Sequence, residues 1–113
     1  MYRARRKDNP YRRKALKEVK RLARAIHGTF RPSELVLFGS VARGDAHALS
    51  DIDLMIVANF SGSRRDRVEK ILNLVEKLDL TFPVEPIPLR PEEYEALRSR
   101  PFFRQVKREG IKL

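Results

Sequence analysis

The sequence of 113 residues contains no cysteine and no tryptophan, five glycines, and nowhere a run of 18 apolar residues. Without cysteine there is neither a disulfide framework nor a thiolate metal site. Without a long apolar run or a signal-peptide pattern, a soluble, cytoplasmic protein with no membrane association is expected. Acidic residues are scarce at one end only. Residues 1–31 carry 12 Lys/Arg against 2 Asp/Glu, whereas residues 32–113 carry 13 of each. The net charge of +10 therefore belongs to the N-terminal segment. The remainder is charge-balanced and, at 42% hydrophobic overall, has enough apolar side chains for a core.

The expected organisation is a single domain: a basic arm and helix over 1–31, then a globular unit over 32–113. Residues 1–9 read as a frayed arm. Asn9-Pro10 suits a helix start, with Leu16, Val19, Leu22, Ala23 and Ile26 at helical spacing and Gly28 as the stop. Lys14, Lys17, Lys20 and Arg24 lie among the basic residues of the other face. Clustered positive charge of this kind over residues 3–24 solubilises a helix or attracts a polyanion such as nucleic acid. Few aromatics are interleaved with it, so base stacking has little support there.

Residues 35–57 carry the chemistry. An apolar run, Leu35 to Phe38, ends in Gly39-Ser40. After a polar loop, a second run begins at Asp51. Side chains of a strand alternate, so Asp51 and Asp53 share one face while Ile52, Leu54 and Ile56 share the other. One face should thus be oily and the other should open with two carboxylates. Acids so close repel unless a cation lies between them, and Mg2+ is the natural choice because it prefers oxygen and recruits phosphate oxygens as well. Gly39 lets the backbone approach a ligand, and the Ser40 hydroxyl with neighbouring N–H groups can hold anionic oxygens. The stretch reads as a nucleoside triphosphate site. In the same loop, Arg43 is placed either to neutralise phosphoryl charge or to pin a carboxylate, and His47 and Asp45 read as loop residues. Ser50 reads as fixing the turn or bonding an Asp.

Downstream, Ser63 with Asp66 resembles a capping box ahead of an amphipathic helix, with Val68, Ile71, Leu72, Val75 and Leu78 as its buried stripe. Residues 81–89 read as a third strand. Its prolines at 83, 86 and 88 confine it to an edge. Pro91 opens another helix that presents Tyr94 and Leu97, interrupted at Pro101. Phe102, Phe103 and Val106 continue at helical spacing to Gly110, the two aromatics reading as core or an interface patch. Residues 111–113 can add a last short strand.

Gly39-Ser40-x-Ala42-x-Gly44, followed by Ser50-Asp51-x-Asp53-Leu54, resembles the signature of the DNA polymerase β-like nucleotidyltransferase superfamily, in its minimal nucleotidyltransferase form. The likeness runs from about Glu34 to the C-terminus. It implies an α/β fold: a small mixed sheet of three to four strands flanked by helices, like the palm of polymerase β. It further implies two Mg2+ ions held by Asp51, Asp53 and a third acid on the third strand, for which Glu85 is the candidate. Gly39 and Ser40 would hold the β- and γ-phosphates of ATP, with Arg43 nearby. The superfamily more often has Asp at the third position. Minimal members are often paired with a helical HEPN-type toxin, which implies AMP transfer to a tyrosine of that partner, an antitoxin role, and a homo- or hetero-oligomer completing the site. The competing expectations are a catalytically silent antitoxin and a nucleic-acid-binding module built on the basic helix.

Overall fold

In the computed structural model, which describes residues 9–113, nine elements alternate around one mixed sheet. The arm expected over residues 1–9 lies, but for Asn9, outside the described residues.

Helix α1 spans Pro10–Phe30. Its start follows from local chemistry: the Asn9 side chain accepts the Tyr11 N–H at 2.8 Å, and proline needs no partner at the first position. Its end lies beyond the expected stop. Gly28 stays helical and Arg31 takes the left-handed cap at φ 49°, its N–H bonded to His27 O. The extra turn brings Phe30 onto Phe60, with ring centroids 5.3 Å apart. An aromatic contact of that kind outweighs the preference of glycine for the cap position.

Strand β1 (Glu34–Phe38) runs into the short helix α2 (Gly39–Arg43), and β2 (Ile52–Val57) returns antiparallel to β1. Helix α3 (Arg64–Leu78) then crosses to β3 (Val84–Leu89), which lies parallel to β2. Helices α4 (Pro91–Leu97) and α5 (Pro101–Glu109) lead into β4 (Ile111–Lys112), antiparallel to β1. The order β3-β2-β1-β4 puts the proline-bearing strand at an edge, where missing N–H donors cost nothing. Pro101 does more than interrupt a helix, since it occupies the first turn of the next one.

The sheet is covered on both sides. Leu35, Leu37, Ile52, Leu54 and Ile56 pack against Ala15, Val19, Leu22 and Ile26 of α1 and Ile71 of α3. On the other face Val36, Met55, Val57 and Leu89 are buried under Tyr94 and Val106. Strand β2 therefore has one oily face and another that opens with carboxylates, as expected. The acidic character is confined to the first positions of that face, and α4 and α5 cover the rest. In α3 the buried stripe also differs: Leu74 packs on the core while Leu72 points outward, 40% exposed.

Polar groups inside this frame hold the connections between elements. Glu18, on the buried side of α1, accepts the N–H groups of Thr81 and Phe82 at 2.9–3.0 Å and thereby fixes the turn into β3. Arg67 of α3, also buried, binds Glu93 at 2.6 Å and Gly62 O at 3.2 Å. Arg90 reaches Phe60 O at 2.6 Å. The capping box of Ser63 and Asp66 forms as expected, with bonds of 2.9 and 3.2 Å. Among the described residues no helix is long and apolar enough to cross a membrane.

Candidate active site

The site lies where β1 ends, α2 begins and β2 starts. Gly39 stands at this junction with φ +75°, a left-handed conformation that disfavours any side chain. A methyl group there would fall 2.1 Å from Oδ2 of Asp53. Glycine is thus required twice, by its dihedral and by the carboxylate it faces.

The sheet register assembles the acids. Asp53 pairs across the ladder with Glu85 on one side and Phe38 on the other, so all three share a face. Asp51 lies just before β2, two residues back from Asp53 and half-buried like it, whereas Glu85 is exposed. Asp53 records this company in its acidity. Burial, then the charge of Asp51, then that of Glu85 push its carboxyl up to about 6, and Arg43 offsets part of the rise. All three expected metal-binding acids therefore act on one spot, and Arg43 acts there too.

The loop between α2 and β2 is built from hydroxyls and backbone. The Ser40 hydroxyl donates to Ser50 Oγ at 3.1 Å, and Ser50 Oγ also accepts the His47 N–H at 2.8 Å. Ser50, only 4% exposed, fixes the turn and is linked to Ser40 rather than to an Asp. His47 Nδ1 accepts the Leu49 N–H at 3.1 Å, which makes it a loop residue. Arg43 binds Asp45 through Nε at 3.1 Å, pinning the loop, while its charge reaches Asp53. Asn9 Nδ2 and Arg12 Nε donate to the carbonyls of Ala46 and Val41, tying the start of α1 to the same loop.

Two neighbours of the acids escape a sequence reading. Phe38 shares their face, which strand parity could have indicated. Phe102 of α5 meets Phe38 edge to face at 5.9 Å, a contact between residues far apart in the chain. A cavity of about 160 Å³ beside them is lined also by Gly39, Arg43, Gln105, Val106 and Glu109.

Among the described residues, no three His, Cys, Asp or Glu side chains are already grouped as a ready-made metal site. The donor set nevertheless fits a hard divalent cation. It consists of carboxylate oxygens alone, and their mutual repulsion contributes to holding one carboxyl near 6.

The profile of the family described as "Nucleotidyltransferase domain" matches residues 12–111, beginning within α1. The crystal structure of a candidate nucleotidyltransferase from Sulfolobus solfataricus superposes with a TM-score of 0.59. The two chains are 24% identical, and the match covers 91% of this chain and 82% of the other. That likeness shows the fold, a mixed four-stranded sheet flanked by helices. No curated protein matches the chain.

Proposed function

The chain belongs to the nucleotidyltransferase domain family, and from that premise we propose that it transfers AMP from ATP to a hydroxyl of another macromolecule. The observation that carries this reading is Asp53 standing against Gly39 under the charges of Asp51 and Glu85, with Asp53 and Glu85 paired across the ladder.

In this mechanism Asp51 and Asp53 would hold the divalent cations, with Glu85 completing the set. Bound there, Mg2+ would offset charge on the triphosphate and lower the pKa of the acceptor hydroxyl. Gly39 leaves room for Asp53 to stand beside the phosphates, and Ser40 offers its hydroxyl to their oxygens. Its proton, given to Ser50 Oγ in the free chain, would turn to a phosphate oxygen when the triphosphate binds. Arg43 adds positive charge where phosphoryl oxygens gain negative charge. The acceptor oxygen forms a bond to the α-phosphorus, the bond from the α-phosphorus to the bridging oxygen breaks, and pyrophosphate leaves. The acceptor proton passes to the Glu85 carboxylate, which is exposed and within the site's electrostatic reach.

The acceptor in this reading is a tyrosine of a helical, HEPN-type toxin, and the protein acts as its antitoxin. The openness of the acidic corner supports an acceptor delivered by a partner, since Glu85 is exposed and Asp51 and Asp53 are only half-buried. A second reading draws on the anchoring of α1 beside the site loop. Lys14, Lys17, Lys20 and Arg24 are exposed on a helix whose first turn is bonded to Val41 and Ala46. That exposed basic face would hold a polynucleotide.

The test is incorporation of label from α-labelled ATP in the presence of Mg2+ and the helical protein encoded beside this chain. Label on a tyrosine of that protein, absent with Asp51→Ala/Asp53→Ala, supports the proposal. Neutralisation of the partner by both wild type and double variant, with no label, supports the silent antitoxin instead.

A further inference from the structure

We propose that the cavity between β1 and α5 holds the nucleobase of the triphosphate, stacked on Phe102 and read at its edge by Gln105 and Glu109. The inference rests on the nucleotidyl-transfer reading of the adjoining acids and adds to it a base-recognition site within this chain.

Position comes first. The cavity shares Gly39 and Arg43 with the acidic site, so a molecule with its phosphates at Gly39 has this space open beside it. Its volume of about 160 Å³ is close to the roughly 150 Å³ of an apolar protein cavity that admits benzene. A flat ring system therefore fits if its polar edge projects toward solvent.

The lining has a matching chemistry. Phe102 is 49% exposed although it stands on a helix whose Val106 is buried. It is held by two edge-to-face contacts, with Phe38 at 5.9 Å and Phe103 at 5.1 Å, so its ring is fixed in place yet open to a partner. A fixed, exposed aromatic beside a phosphate site is what base stacking requires. Gln105 and Glu109 follow at three and seven residues from Phe102, on the same side of α5. Gln105 Nε2 donates to Glu109 Oε2 at 2.8 Å, and among the described residues no cation pairs with Glu109. Its carboxylate is an acceptor only and so favours a base edge that presents an N–H donor. Adenine presents its amino group and uracil its ring N–H, so this pair reads a donor edge without telling the two apart.

Binding measured by calorimetry with Mg2+ separates this site from the phosphate site. The probes are ATP, UTP and base-free tripolyphosphate, with wild type, Phe102→Ala and Glu109→Ala, each checked for folding by thermal melting. Phe102→Ala is expected to weaken ATP about tenfold and to leave tripolyphosphate unchanged. Glu109→Ala is expected to weaken ATP and UTP alike and to leave tripolyphosphate unchanged. Equal ATP affinity in wild type and Phe102→Ala would overturn the assignment, as would parallel losses for ATP and tripolyphosphate. If wild type binds neither ATP nor tripolyphosphate, the parent reading of the acids fails as well, which distinguishes the two failures.

Discussion

Gly39 faces Asp53 so closely that any side chain would displace the carboxylate. Gly39→Ala should therefore destabilise the fold by about 1–3 kcal/mol, from positive φ and the clash together. It should reduce transfer by roughly 100-fold, because an acid moved by about an ångström misplaces what it holds. Denaturant unfolding alongside initial rates would check both, and an unaffected rate would contradict the assigned geometry. Asp53 supports a second prediction. Its folded pKa of about 6 lies above the ordinary 3.8. The folded chain thus binds the extra proton, and this contribution to stability is complete below about pH 3.8 and lost as pH rises through 6. At pH 7 the ionised group opposes folding, by about 1 kcal/mol after the screening of a half-exposed site. Asp53→Asn should be more stable than wild type at pH 7 in chelator, with no gain near pH 4, while its transfer activity is lost. Urea unfolding across that range reads this directly, and equal stability of the two proteins at pH 7 would refute it. The shared face of the two acids is legible in the sequence because strand alternation is local. The Gly39–Asp53 contact is not, since it joins residues 14 apart through a loop whose path the sequence does not set.

At the level of elements, the boundaries set by neighbouring residues could be read in advance. Asn9-Pro10 and Ser63 with Asp66 form the caps their side chains imply, and the prolines of β3 keep it at the edge. What could not be read depends on distant partners. Gly28 fails to end α1 because Phe30 finds Phe60. The face of β2 bearing Met55 and Val57 is covered because two later helices fold over it. Glu18 shows the same limit: it sits on the apolar side of α1, yet its partners lie 63 and 64 residues away. Glu18→Ala leaves the Thr81 and Phe82 N–H groups without that carboxylate and should cost about 2–3 kcal/mol. Glu18→Gln should recover part of the loss, since its amide oxygen can accept one bond. Chemical denaturation of both variants checks this, and a cost below about 0.5 kcal/mol for Glu18→Ala would show the contact to be incidental.

On the scale of the whole molecule, the excess charge belongs to one segment of the chain. Residues 1–31 hold the entire net charge of +10, and the described part of that segment is bonded to the loop flanking the acids. The polarisation is legible in the sequence, but the bonds from Asn9 and Arg12 to the loop before β2 are not, because they depend on how α1 packs across the sheet. If the basic face holds a polyanion, RNA binding should weaken steeply with salt, and Lys14→Gln/Lys17→Gln/Lys20→Gln should lower the slope of log K against log salt by about 2–3. An unchanged slope would leave these lysines as a solvated helix face. The central claim, nucleotidyl transfer at the acidic corner, is tested most directly by Mg2+-dependent pyrophosphate release from ATP in the presence of the helical partner. Wild type, Asp51→Ala/Asp53→Ala and Glu85→Gln would be compared at equal folded concentration. The account predicts release with wild type, none with the double variant, and a rate reduced about 100-fold or more with Glu85→Gln. Release that persists undiminished in the double variant would contradict it.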